Sequence, residues 1–395
     1  MNADRLNELE TVYRTGLLQD TLPFWMNHGV DDDHGGYVTS LNRVGTVLDT
    51  DKSVWQQGRF AWMLSTLYNR VEKNPAWLNA AESGIDFLRR HAFDTDGRMY
   101  FQLTREGRPL RKRRYAFSEA FASMAFAAYA KASGDGTARD QAIKLHALFV
   151  HDAIEGQRGE PKVDATTRPM QGIGPYMILI NLSQVLRENL ELPDMESWID
   201  LAIDKIRADF VKPNLHAVME TVGSDGEILD YFDGRMLNPG HAIEAAWFIM
   251  QESRHRNGDE ALRDLGTTML DWMWERGWDT EHGGMLYNVD VYGLPVAEYW
   301  HDMKFWWNHC ETIIASLLAF AITGDEKYSA MHEKIQGWTY RHFPDPEHGE
   351  WFGYLHRDGS LSTPLKGNLW KGPFHLPRMQ LTCWELTADL LRGKE

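Results

Sequence analysis

The sequence predicts an all-α fold: an (α/α)6 barrel of six helical hairpins, with short β-hairpins and loops at the active-site end. Three observations predict it. A turn-rich segment recurs, as DDDHGGY (31–37), DTDGRMY (94–100), GSDGEILDY (223–231), DTEHGGM (279–285) and DPEHGEW (345–351). A second kind of block opens polar and runs on as an apolar helix. Between these blocks lie amphipathic stretches whose apolar residues recur at three and four, as helices require. Internal repetition at a fixed period is the mark of a repeat architecture.

The turn segments pair Asp and Gly. Glycine permits positive φ and Asp bonds its own backbone, so both suit tight turns. They read as hairpins or loops, not as catalytic motifs. The apolar blocks are SVWQQGRFAWMLSTLY (53–68), RYAFSEAFASMAFAAYA (114–130), RPMQGIGPYMILINLSQVL (168–186), NPGHAIEAAWFIMQ (238–251), KFWWNHCETIIASLLAFA (304–321) and NLWKGPFHLPRMQLTCWEL (368–386). Arg59, Glu119, Gly174, His241, Glu311 and His375 serve as markers and fall 55 to 70 residues apart. The amphipathic partners include NPAWLNAAESGIDFLRRHAF (74–93) and DEALRDLGTTMLDWMWERGW (259–278). Apolar helices form the inner wall and amphipathic helices the outer ring. The polar openings of the inner helices then converge at one end. No Pro/Gly/Ser linker divides the chain, so residues 1–395 read as one catalytic domain.

Composition narrows the function. The chain has 395 residues, 43% hydrophobic and 25% charged, with a formal net charge of -16. That charge argues against nucleic acid or an anionic membrane surface as partner, since both need a basic footprint. The two cysteines, Cys310 and Cys383, lie in no CxxC pair. The N-terminus MNADRLNELETVYRT lacks the apolar core of a signal peptide, and no apolar stretch is long enough for a membrane span. The expected location is cytoplasmic. There are 16 Trp. Most should fill helix–helix gaps, and the rest can stack on sugar rings.

The inner-helix openings carry charged or imidazole groups among core residues: Arg59, Glu119, His241 with Glu244, Glu311, and His375 with Arg378. Buried charge needs a partner or a function. The bland readings are satisfied core histidines, an Arg59–Glu119 pair, and a His241–Glu244 orienting bond. Recurrence at the corresponding place in five of six units favours function. His28, His34, His282 and His348 lie in or near turns. The chain holds no HExxH for zinc. ASGDGTARD (132–140) does not match a phosphate loop, and no Ser or Cys sits in a nucleophile elbow.

As a set, VWQQGRFAWM, RYAFSEAFASMAF, LNPGHAIEAAW, NHCETIIASLLAF and LWKGPFHLPRM resemble the N-acylglucosamine 2-epimerase family of (α/α)6-barrel sugar epimerases and isomerases. The resemblance runs from Phe24 to Trp384. It implies that His241 and His375 match the family's acid/base histidines. It implies that Arg59, Glu244 and Glu311 match other active-site positions. Tyr115, Gln171, Trp307, Trp370, Lys371 and Arg378 fall at or near positions that contact sugar. RYAFSEAF and KGPFHLPR look like the N-acylglucosamine or mannose branch, and MQGIGPYMILINL lacks the Asn and His pair of the cellobiose branch. No cofactor or metal is implied as a requirement. Nucleotide activation is known for some members, and a homodimer is consistent with the family.

The implied activity interconverts C2 epimers of a reducing monosaccharide, N-acyl-D-glucosamine and N-acyl-D-mannosamine or D-mannose and D-glucose. Removing the proton beside the aldehyde needs a base poised near neutrality, which histidine supplies. His375 would abstract from one epimer and His241 would serve the other face. Glu244 would orient His241, Arg59 would stabilise the oxyanion near O1/O2, and Glu311 would bond hydroxyls or orient a histidine. The rivals are an aldose–ketose isomerase of the D-mannose/D-fructose type, an (α/α)6 glycoside hydrolase, and a non-catalytic sugar-binding protein.

Overall fold

A computed structural model describes residues 1–112, 115–156 and 164–393. Arg114, which opens the RYAFSEAF block, lies outside the described residues. Six inner helices span Val54–Arg70, Phe117–Ser133, Gly174–Leu190, Pro239–His255, Trp306–Thr323 and His375–Leu391. They coincide with the six apolar blocks. Their outer partners are Pro75–His91, Gly136–Phe149, Met195–Lys205, Glu260–Gly277 and Glu326–His342, plus an N-terminal arm. Inner helices are apolar all round: in Phe117–Ser133 every residue from Ser118 to Ala130 is buried. Outer helices bury one stripe, such as Trp77, Ala80, Ala81, Gly84, Ile85, Phe87 and Leu88 in Pro75–His91. Asn74 caps that helix through the Ala76 N–H and Pro75 opens it.

The sixth hairpin is assembled from the two ends of the chain. His375–Leu391 packs on the arm Ala3–Thr15, which continues through a π-turn into Leu22–His28. The Trp384 indole N–H donates to Glu10 at 2.9 Å, and Arg5 forks onto Glu333 at 2.8 Å. The described helices share one hydrophobic core. None of them is long and apolar enough to cross a membrane.

Two-residue antiparallel ladders anchor the inner-helix starts. Lys52–Ser53 pairs with Gln102–Leu103, Gln171–Gly172 with Thr221–Val222, Met236–Leu237 with Val289–Asp290, and Lys304–Phe305 with Tyr354–Leu355. The turn segments close through bridges at Val30–Tyr37, Phe93–Met99, Trp278–Met285 and Pro344–Trp351. Three of their aspartates are buried in a repeated clamp. Asp31 binds Lys52 and Arg105, Asp279 binds Lys304 and Arg357, and Asp345 binds Lys366 and Arg43. The last clamp joins the sixth unit to the first, so it helps close the ring. These segments are structural, as their turn chemistry predicts.

Glu119, one of the charged groups at the inner-helix openings, serves the scaffold. Its carboxylate accepts the Met99 N–H at 2.6 Å, as Gln57 accepts the Tyr37 N–H at 2.7 Å and His309 the Met285 N–H at 3.0 Å. All three side chains hold a hairpin from the first turn of an inner helix. Burial pushes His309 down to about 3, so it is a neutral structural histidine.

Candidate active site

His241 stands in the first turn of Pro239–His255. Asn238 caps that turn by accepting the His241 N–H at 2.9 Å. Its Nδ1 lies 3.0 and 3.1 Å from the two oxygens of Glu220, on the turn between Ala217–Val218 and Thr221–Val222. Glu244 was expected to orient this ring; it does not. Glu244 lies one turn further on and binds Arg378, which comes from 134 residues downstream. Burial pulls the His241 pKa down, but Glu220, reinforced by Glu244 and Glu311, outweighs it and raises the net value.

His375 opens the last inner helix. Its Nδ1 lies 2.6 Å from Glu311 Oε1. Glu311 also accepts the Trp247 indole N–H at 2.8 Å and binds Arg378 at 2.7 Å. Burial, aided by Arg378, Arg59 and His241 and opposed by Glu244, holds His375 well below an ordinary histidine. The two imidazoles therefore differ in electrostatic setting. Both pack on one indole: Trp307 lies 5.0 Å from the His241 ring and 5.7 Å from His375. Gly240 permits this approach, because a Cβ there would sit 2.7 Å from the Trp307 ring.

Arg59 lies over the Phe121 and Phe374 rings at 4.1 and 4.7 Å. Burial drags it down to about 9, still high enough to keep the guanidinium charged at neutral pH. Among the described residues its Nε has no hydrogen-bond partner, nor do Trp55 Nε1, Gln56 Oε1, Trp306 Nε1 or Arg378 Nε. Trp306 packs 6.1 Å from His375 and Trp55 5.7 Å from the Arg59 guanidinium, so open polar groups lie beside His375 and Arg59. Buried polar groups are normally satisfied, and a cluster that is not invites a polar ligand.

Glu244, Glu311 and His375 bring ligand atoms within 4.8 Å of one another, as a metal site would. The Arg378 guanidinium already binds both carboxylates there, so the cluster carries its own cation.

The expected sugar contacts divide. Trp307 and Arg378 are at the centre. Trp370 packs on Trp55 and Phe101 at 6.0 and 5.6 Å, and Tyr115 on Phe117 at 5.1 Å, placing both along the rim. Lys371 is fully buried, its ammonium held by Glu350 and the Lys366 carbonyl at 2.7 Å. Gln171 uses its amide N–H groups on Asp209 and the Gly223 and Ser224 carbonyls. Both residues shape loops rather than face the histidines. Glu220 escaped the sequence reading because it sits outside every helical block, in an unremarkable run HAVMETV.

Two imidazoles in unlike settings share one indole inside an (α/α)6 barrel, an arrangement that suits the movement of protons. The chain belongs to the N-acylglucosamine 2-epimerase (GlcNAc 2-epimerase) family, whose profile matches residues 36–375. It is 37% identical to the N-acylglucosamine 2-epimerase of Mus musculus over 388 residues, covering 96% of this chain and 92% of that protein. It is 24% identical to the cellobiose 2-epimerase of Bacteroides fragilis over 393 residues, covering 93% and 96%. Among solved structures, the cellobiose 2-epimerase of Spirochaeta thermophila superposes with a TM-score of 0.85 at 22% identity, covering 98% of each chain. That likeness shows the barrel fold.

Proposed function

We propose that this enzyme epimerises C2 of a reducing N-acyl hexosamine, interconverting N-acyl-D-glucosamine and N-acyl-D-mannosamine. The observation that carries the reading is the contrast between His241 and His375, both placed against Trp307. His375, low in pKa, is neutral and can take the C2 proton. The released electrons form a C1–C2 enolate that keeps the acylamino nitrogen on C2, and the charged Arg59 offers a fixed counter-charge for the oxyanion on C1. His241, raised by Glu220, can return a proton to the opposite face. The open Trp55, Trp306 and Gln56 groups are available to sugar hydroxyls and the acyl carbonyl.

The N-acyl substrate is favoured over cellobiose by the higher identity to the mouse protein than to the Bacteroides one. A hydrolase needs two free carboxyls flanking a glycosidic bond. Here Glu244 and Glu311 share one arginine, which leaves neither free to be an acid. Incubation with N-acetylmannosamine, mannose and cellobiose, with and without ATP, tests the reading by product separation. Conversion of N-acetylmannosamine is the expected result; conversion of cellobiose alone would overturn it.

A further inference from the structure

The two histidines are each backed by a glutamate, but the glutamates are not equivalent. Glu311 binds His375, Arg378 and Trp247 together, so its charge is largely compensated. Both oxygens of Glu220 lie beside His241 Nδ1, and Glu220 makes no other ion pair among the described residues. Glu244 and Glu311 also act on His241, and Arg378 binds both. Glu244 acts on His375 too, but there Arg378, Arg59 and His241 itself oppose it. His241 is also the more open ring, with 33% of its side chain exposed against 9% for His375.

We propose that Glu220 is a positioning residue that makes His241 the proton donor of the resting enzyme and leaves His375 as the resting base. The inference rests on the epimerase reading. Glu220 takes the Nδ1–H of an imidazolium, so Nε2–H faces the substrate. Glu311 takes the Nδ1–H of a neutral His375, whose Nε2 lone pair is then the base. In one turnover the C2–H bond breaks and its proton goes to His375 Nε2. Its electron pair forms the C1–C2 double bond, and the C1 carbonyl electrons move onto oxygen. As the carbonyl reforms, C2 takes the Nε2 proton of His241 from the other face. The enzyme is left with His375 protonated and His241 neutral. One proton must pass back through solvent before the same epimer can react again, and the exposed His241 ring is the open route.

The test is Glu220→Gln, with Glu220→Asp as the conservative control, in the full-length protein. Imidazole 15N NMR of the sugar-free protein, assigned with His241→Asn, follows each ring. The expected result is that Glu220→Gln moves the His241 titration to lower pH and moves His375 less, while Glu220→Asp keeps the wild-type order. In kinetics, the alkaline limb of the kcat/KM profile moves to lower pH in Glu220→Gln and the acid limb moves less. At alkaline pH the loss should reach about tenfold or more, within the range of a general acid. An unmoved His241 titration overturns the proposal. So does a uniform loss across all pH values with both limbs in place, which would mark a merely structural glutamate. If no sugar is converted by the wild type, the epimerase reading falls, and the NMR titration still decides whether Glu220 sets the charge of His241.

Discussion

Two kinds of buried ionic assembly share this barrel, and they are built to opposite rules. In the loop clamps every charge is satisfied. Lys52 is fully buried, yet its ammonium reaches Asp31 and the Gly35 and Arg105 carbonyls. Lys366 repeats this with Asp345 and the Gly349 and Glu350 carbonyls. Burial alone would raise the Asp279 pKa, but Arg357 and Lys304 hold it well below the ordinary carboxylate range. At the barrel centre, by contrast, Arg59 Nε, Arg378 Nε, Trp55 Nε1 and Trp306 Nε1 have no partner among the described residues. An orphaned charge is costly, and the clamps complete their hydrogen bonds. Arg187 Nε and Arg256 Nη2, beside the buried Glu252, are also open, so open groups mark the centre only together with the histidines they lie near.

The sharpest way to break this comparison is to remove a histidine. His375→Asn should lower the rate of C2 hydrogen exchange in deuterated water by about 10³- to 10⁴-fold, or ~4–5.5 kcal/mol of transition-state stabilisation. The thermal midpoint should barely move. Wild-type exchange in that variant would refute the assignment.

Lys304→Met should do the reverse. It leaves Asp279 with Arg357 alone in a buried place and should cost about 3 kcal/mol of stability. Urea unfolding checks this, with kcat per folded molecule close to wild type. A large loss of kcat without unfolding would mean that clamp and site are coupled.

Gly240→Ala lies between the two classes. A Cβ there presses on the Trp307 ring and shifts the surface both histidines share. A displacement of that kind should reduce kcat/KM by about ten- to a hundredfold. Steady-state kinetics measures it, and recovery of activity in a compensating Trp307→Phe background would localise the effect.

The smallest effect is expected at the rim of a clamp. Arg43 is exposed and joins Asp345, which keeps its buried Lys366. Arg43→Ala should move the thermal midpoint by no more than about 2 °C, because the guanidinium removed is solvent-screened and the buried Lys366 still compensates Asp345. A larger shift would show that ring closure depends on the outer arginine.

Much of this was legible in the chain. The six inner helices follow the apolar blocks, since an all-apolar helix of this length has to be covered on every side. His241, His375, Arg59 and Glu311 stood out because ionisable groups are rare among core residues. The misreadings have physical causes. Glu119 stood with the charged inner-helix groups because spacing does not distinguish a first-turn residue facing a hairpin from one facing the barrel axis. Glu244 looked like the partner of His241 because three residues along a helix bring side chains together. Arg378 captured it from another wall.

By itself, then, the sequence determined the architecture and singled out His241 and His375 as candidates. The architecture is carried by local periodicity and the candidates by the cost of placing ionisable groups among apolar neighbours, while their acid/base roles came only with the family resemblance. Only the tertiary structure decided that the sixth hairpin joins the chain ends, that Arg378 bridges Glu244 and Glu311, and that Glu220 backs His241. Those depend on through-space fields between residues up to hundreds of positions apart, and such fields leave no trace in local spacing. The two histidines thus stand in unlike settings, His241 beside Glu220 and His375 beside Glu311.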